Sequence, residues 1–144
     1  MPKTFKQQVY QDWIDQARHT IHSAKNDQNC GDTDWACFKA QQGAEFVLKA
    51  LLHGLGLPAF GHSITQLITD VHDSVPSLNF DKSCAIYLDK LYIPTRYPDA
   101  FPAGAPHTFY IADDAKKAID CAEVILGKVR FHHPFLSDVG LPRS

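Results

Sequence analysis

The chain has 144 residues, with 14 Lys+Arg against 16 Asp+Glu, 44% hydrophobic residues and 9 Pro. That length suits one domain, and a chain of this size buries enough surface to fold without a disulfide or a metal. A net charge of −2 excludes a generally basic nucleic-acid binder, and no apolar stretch approaches the roughly 20 residues of a membrane span.

Val9, Trp13, Ala17, Ile21 and Ala24 recur at helical spacing and predict a first helix from about Thr4 to Lys25. Residues 26–33 are polar, hold Gly31, and read as a loop. Thr33 is placed to cap a second helix, from Asp34 to about Leu55, whose main stripe is Cys37, Ala40, Ala44, Leu48, Leu51 and Leu55. Trp35, Phe38 and Phe46 lie on its opposite side, so this helix is expected at the centre of a bundle or against a second subunit. Gly54, Gly56 and Pro58 stop it. Ser63-Ile64-Thr65-Gln66 has the spacing of a capping box and opens a third, shorter helix with Ile64, Leu67, Ile68 and Val71 inward. A fourth helix is expected over about Phe80 to Tyr92, burying Cys84, Tyr87, Leu88 and Leu91. Thr108 is placed to cap a fifth, with Ile111, Ala115, Ala118, Ala122, Ile125 and Val129 as a narrow stripe. Asp113 and Asp114 near its start, with Lys128 and Arg130 near its end, suit the helix dipole. No strand alternation or internal repeat is visible. The fold class is therefore all-α, an up-and-down bundle of four to five helices over residues 1–131, with an irregular tail over 132–144.

One connection is longer than a bundle requires. Between the fourth and fifth helices lies Ile93 to His107, with Pro94, Pro98, Pro102 and Pro106 at every fourth residue. That spacing forbids a helix and pushes each preceding residue to extended geometry. A structureless connection of about 15 residues is often functional, and proline lowers the entropy cost of ordering it. Its polar groups are Thr95, Arg96, Tyr97, Asp99 and His107. Arg96 is able to fork onto a phosphate or carboxylate; the plainer alternative is an Arg96–Asp99 pair that pins the loop.

Three segments carry a family resemblance. The stretch Gln41-Gln42-Gly43-Ala44-Glu45-Phe46-Val47-Leu48-Lys49-Ala50-Leu51-Leu52 resembles the Gln-Gln-Ala-Ala-Glu helix, ending in Leu-Lys-Ala, of the HEPN family. His62-Ser63-Ile64-Thr65-Gln66-Leu67 is similar to that family's His-x-Leu-x-x-Leu element, and Thr95-Arg96-Tyr97-Pro98-Asp99, after Tyr92, to its Thr-Arg-Tyr-Pro-Asp segment. The resemblance spans about residues 10–129. It implies a homodimeric helical bundle linked to nucleotides or RNA, either a companion of a minimal nucleotidyltransferase in a toxin–antitoxin pair or a metal-independent RNase. The RNase members carry Arg, four to six residues, then His, and that spacing is not met here. His107 is too far beyond Arg96, Arg18 and His22 lie on the first helix, and Arg130 precedes His132 and His133 too closely.

The reading is therefore an accessory, nucleotide- or partner-binding module, leaning away from an enzyme. Thr95, Arg96, Tyr97 and Asp99 are the candidate ligand contacts. Gln41, Gln42, Glu45, Lys49, His62 and Tyr92 are their supports, with Gln41 expected to bind the loop backbone around Arg96. Arg96 with His107 would be the catalytic pair of a divergent RNase, by base and cation. A purely structural interaction module is the third reading. The sequence calls for no cofactor and no metal; Asp15, His19 and His22 read as a solvated face. The N-terminus lacks the apolar core of a signal peptide, so a cytoplasmic protein with no membrane partner is expected. Its four cysteines, Cys30, Cys37, Cys84 and Cys121, form no Cys-x-x-Cys pair and read as reduced structural thiols.

Overall fold

A helix with apolar groups on two sides lies inside its bundle or against a second subunit. The structure, a computed structural model, describes residues 4–139 and the side chains of residues 4–136. It places helix α2 (Thr33–Gly54) against α1 (Gln7–Cys30) on one side and α5 (Ala112–Val139) and α3 (Ile64–Ser74) on others, with the short α4 (Lys82–Asp89) packed on α3 and α5. The described residues hold five helices and no strand, as an all-α bundle requires. Cys37, Ala40, Ala44, Leu48 and Leu51 of α2 are buried, with Leu52 beside them. Each of these leucines contributes about 1.5–3 kcal/mol by leaving water.

Gly43 lets α1 and α2 approach. A Cβ there would sit 2.6 Å from Ile21 Cγ1, inside van der Waals contact. This is the position where the run Gln-Gln-Gly-Ala-Glu has glycine in place of the alanine of the pattern it resembles. On α1 the inward face is Tyr10, Ile14, Ala17, Ile21 and Ala24, while Val9 faces outward. The stripe therefore starts one residue later than expected, because Tyr10 and Ile14 continue the spacing that Ala17 and Ile21 set.

Several helix ends differ from expectation. The polar residues after Lys25 do not break α1; Gly31 does, in the left-handed conformation (φ 81°) that closes helices. Thr33 is the first residue of α2 and not its cap. Its hydroxyl donates instead to Tyr110 O at 2.6 Å, a tertiary tie. Ser63 caps α3 as expected, accepting from the Gln66 N–H at 3.2 Å. The other half of that box is missing: Gln66 reaches Asp70, and Asp89 at the end of α4 accepts the N–H groups of Ile64 and Thr65. α4 is shorter than expected because Asp81 caps it, accepting from the Ser83 N–H at 2.9 Å. Thr108 closes a 3-10 turn (Pro106–Thr108) and does not open α5; Asp114 Oδ2 accepts from the Ile111 N–H at 3.0 Å ahead of the helix.

Two expectations are overturned. Residues 132–139 are not irregular: α5 runs through Pro134 to Val139. Proline removes one intrahelical donor, but His133 stacks on Tyr10 at 4.1 Å and Leu136 is buried, so packing holds the turn. Residues 140–144 of the expected tail lie outside the described residues. The four thiols are not all reduced either. Cys84 and Cys121 form a disulfide between α4 and α5, at a Cα–Cα separation of 5.4 Å, leaving Cys30 exposed and Cys37 buried. The two partners lie 37 residues apart in the chain. Only the packing of α4 on α5 brings them within bridging distance.

Candidate functional site

The proline-rich connection begins by folding onto itself. Thr95 is 1% exposed, and its hydroxyl donates to Leu91 O at 2.7 Å. The Arg96 N–H donates to Ile93 O at 3.1 Å, and its side chain turns back: Nε and Nη2 donate to Tyr92 O at 3.0 and 2.8 Å. A second 3-10 turn, Pro98–Ala100, follows.

That fork sets the Arg96 guanidinium among three rings. Its Cζ is 4.1 Å from the Phe38 centroid, 4.7 Å from Tyr92 and 5.0 Å from Tyr97. A guanidinium so placed gains about 0.5–2 kcal/mol from each well-aligned ring, more as water is excluded. Asp99 does not pair with it; no ion pair of the described residues involves Arg96. Arg96 is half-buried and Tyr97 exposed, so the guanidinium edge and the Tyr97 ring form a small ledge at the surface.

Beneath the ledge lies a polar seam on α2. His62 stacks on Tyr92 at 4.4 Å and 15°, and its Nδ1 lies 3.0 Å from Glu45 Oε1. Glu45 is buried; its other oxygen takes Lys49 Nζ at 3.1 Å. Gln42 Nε2 donates to Glu45 Oε1 at 3.1 Å and to Gln41 Oε1 at 2.8 Å. Gln41 is fully buried, and its Nε2 donates to His62 O at 2.9 Å. A buried carboxylate needs such partners, since leaving it bare costs several kcal/mol.

Of the six residues read as supports, Tyr92 touches Arg96, His62 stacks on Tyr92, and Glu45, Gln42, Gln41 and Lys49 connect to His62 through hydrogen bonds. Their roles differ in detail. Gln41 binds the backbone of His62 and not the loop around Arg96. In the Glu45–Lys49 pair the carboxylate is buried and the lysine partly so. Of the four ligand-contact candidates, Thr95 faces the interior, while Tyr97 and Asp99 are exposed and Arg96 is half-exposed. His107 is exposed on the later turn, and no hydrogen bond, ion pair or ring contact joins it to Arg96 among the described residues. Phe38, which the sequence placed only on the second apolar side of α2, is the contributor to this site that was not expected. Its signal was present: Phe38, Gln42, Glu45 and Lys49 repeat at helical spacing along one face of α2.

Elsewhere, no group of three or more metal-ligating side chains forms among the described residues, and no described helix is long and apolar enough to cross a membrane. A model of the HEPN domain matches residues 10–132. Solved structures resemble the chain over most of its length. The protein TT1696 of Thermus thermophilus shares 42% identity and a TM-score of 0.79, covering 85% of this chain and 96% of its own. An archaeal HEPN homologue, ST0689, shares 38% identity at a TM-score of 0.71, with the same coverage of 85% and 96%. A HEPN domain protein of Thermotoga maritima shares 29% identity at a TM-score of 0.63, covering 88% of this chain and 98% of its own. No curated protein matches the chain.

Proposed function

The chain belongs to the HEPN domain family, and on that premise we propose that it is an accessory binding module, a cytoplasmic homodimer that holds a nucleotide at the Arg96 ledge and works beside a small nucleotidyltransferase of the toxin–antitoxin kind. One observation carries this reading: the Arg96 guanidinium is held by Tyr92 O and three rings, yet no carboxylate of the described residues pairs with it. A nucleotide supplies what the ledge lacks. Its phosphate meets the Nη1 edge, and its base stacks on Tyr97, a contact worth about 1–3 kcal/mol. The seam of Gln41, Gln42, Glu45, Lys49 and His62 positions Tyr92, and so Arg96, without touching the ligand. Dimerisation is supported by apolar side chains that one chain leaves exposed, Trp35 on α2 and Phe131 and Phe135 on α5. The RNase reading needs Arg96 and His107 on one reacting group, and no contact in the structure favours that.

Thermal shift with adenine and guanine nucleotides tests the proposal. Saturation at 100 times the dissociation constant adds about 2.7 kcal/mol to stability, and Arg96→Ala abolishes the shift. No shift with any nucleotide would overturn it. Light scattering is expected to give about twice the 16.1 kDa chain mass; a monomer at micromolar concentration would refute the dimer. Cleavage of RNA by wild type but not by Arg96→Ala would replace the accessory reading with the enzymatic one.

A further inference from the structure

Two other arginines stand outside every ion pair of the described residues. Arg18 of α1 and Arg130 of α5 line one cavity of about 180 Å3, together with Tyr10, Gln11, Ile14 and His133. Helix geometry puts them there. Tyr10, Ile14 and Arg18 are four apart and run down one face of α1, and Arg130 and His133 are three apart on the facing stretch of α5. Among the described residues no Asp or Glu lines the cavity. The nearest acid in sequence, Asp15, accepts from Gln11 at 2.8 Å and pairs with neither arginine.

A third donor meets them. Tyr10 is only 2% exposed and lines the same cavity, and no hydrogen bond of the described residues takes its hydroxyl, which leaves that donor available to a ligand there. Burial pushes its pKa up to about 12, with the Arg130 charge pulling the other way, so the group is a protonated donor beside that guanidinium. The wall is firm: His133 stacks on the Tyr10 ring, and its Nε2 lies 2.8 Å from Gln7 Oε1.

Two guanidinium groups in one cavity repel until an anion joins them, and their planar forks match the oxygens of a phosphate. The volume is below the roughly 300–1,000 Å3 of sites for drug-sized ligands. It suits one tetrahedral oxyanion. The geometry points to an anion site between α1 and α5 that takes a phosphate group, with Arg18 and Arg130 as its cations and the Tyr10 hydroxyl as third donor. It is separate from the Arg96 ledge. The phosphate is either free or carried on a phosphomonoester whose remainder lies in solvent.

Isothermal titration of the full chain with inorganic phosphate and with ribose 5-phosphate, which has no base to stack on Tyr97, tests this. Saturable binding at one site per chain is expected for wild type and equally for Arg96→Ala. Arg18→Gln and Arg130→Gln, both at exposed positions, are each expected to bind about tenfold more weakly, since each removes a charge-assisted bond. Tyr10→Phe keeps the ring in the core and weakens binding by a smaller factor. Binding of both probes identifies a carried phosphate; binding of inorganic phosphate alone identifies the free anion. No saturable binding of either probe would overturn the site, as would affinity unchanged in Arg18→Gln and Arg130→Gln. Loss in Arg96→Ala with retention in those two would assign the phosphate to the ledge instead.

Discussion

His62 Nδ1 lies 3.0 Å from Glu45 Oε1, and through that contact a buried carboxylate of α2 holds the approach to α3 and, by the ring stacked on His62, Tyr92. The same carboxylate also satisfies Lys49 and Gln42. Removing it takes an acceptor from three partners at once, of which Lys49 is the most buried without another bond.

Glu45→Ala is therefore expected to cost about 3 kcal/mol, the scale of breaking a buried pair from one side. At roughly 2–4 °C per kcal/mol for a chain near this size, the melting temperature falls by about 6–12 °C. Glu45→Gln keeps an acceptor for Lys49 and costs less. Urea denaturation of both variants checks the order; a loss below 1 kcal/mol in Glu45→Ala would show that the seam is not stabilising.

Arg96→Lys is expected to behave like Arg96→Ala and not like wild type. The ammonium of lysine has no planar fork for Tyr92 O and no flat face for Phe38. Each variant is expected to lose about 1–2 kcal/mol of stability, measured by denaturant midpoint at constant slope. Full stability in the lysine variant would mean that charge alone holds the connection.

Acid is expected to destabilise the fold through His53. Its ring stacks on Trp13 at 4.8 Å, and burial first, then the charges of Lys49 and Lys6, lowers its pKa below 6.5. Between that lowered value and 6.5 the unfolded chain binds the proton and the folded chain does not, so stability rises with pH through this window. It is complete above about 6.5 and falls as pH drops below it. His53→Gln removes this contribution, so the stability difference between wild type and variant changes across that window and is flat above pH 7. Denaturation followed by tryptophan fluorescence at several pH values reads it. A difference that stays constant from pH 5 to 8 would contradict the assignment.

Alkylation counts the thiols. Cys30 is exposed, while Cys37 is buried and its thiol is pushed up to about 12 by burial first and the nearby Asp114 and Asp34 charges next. The thiolate is the reactive form. Iodoacetamide is expected to add once to the native oxidised protein, twice after denaturation, and four times after denaturation and reduction. Mass spectrometry gives the counts; four additions without reductant would show the Cys84–Cys121 bridge to be absent.

How much of this was legible beforehand follows the range of each interaction. The inward faces of α2 and α3 repeat every three to four residues, so Cys37 to Leu55 and Ile64 to Val71 could be placed from the chain alone. The neighbourhood of Arg96 could be named because its residues sit in three recognisable segments. What those residues do there could not. Gln41 turns to the His62 carbonyl because burial forces each polar atom to find the nearest partner in three dimensions.

The sequence by itself determined an all-α bundle and the inward faces of its central segments, because helical periodicity is a local property of the chain; the segments near Arg96 were named by their family resemblance. Tertiary structure alone decided the Cys84–Cys121 bridge, the continuation of α5 past Pro134, the ring cage around Arg96, and the meeting of Arg18 with Arg130. Each joins groups distant in sequence or depends on a neighbour's packing, and no spacing along the chain records such contacts.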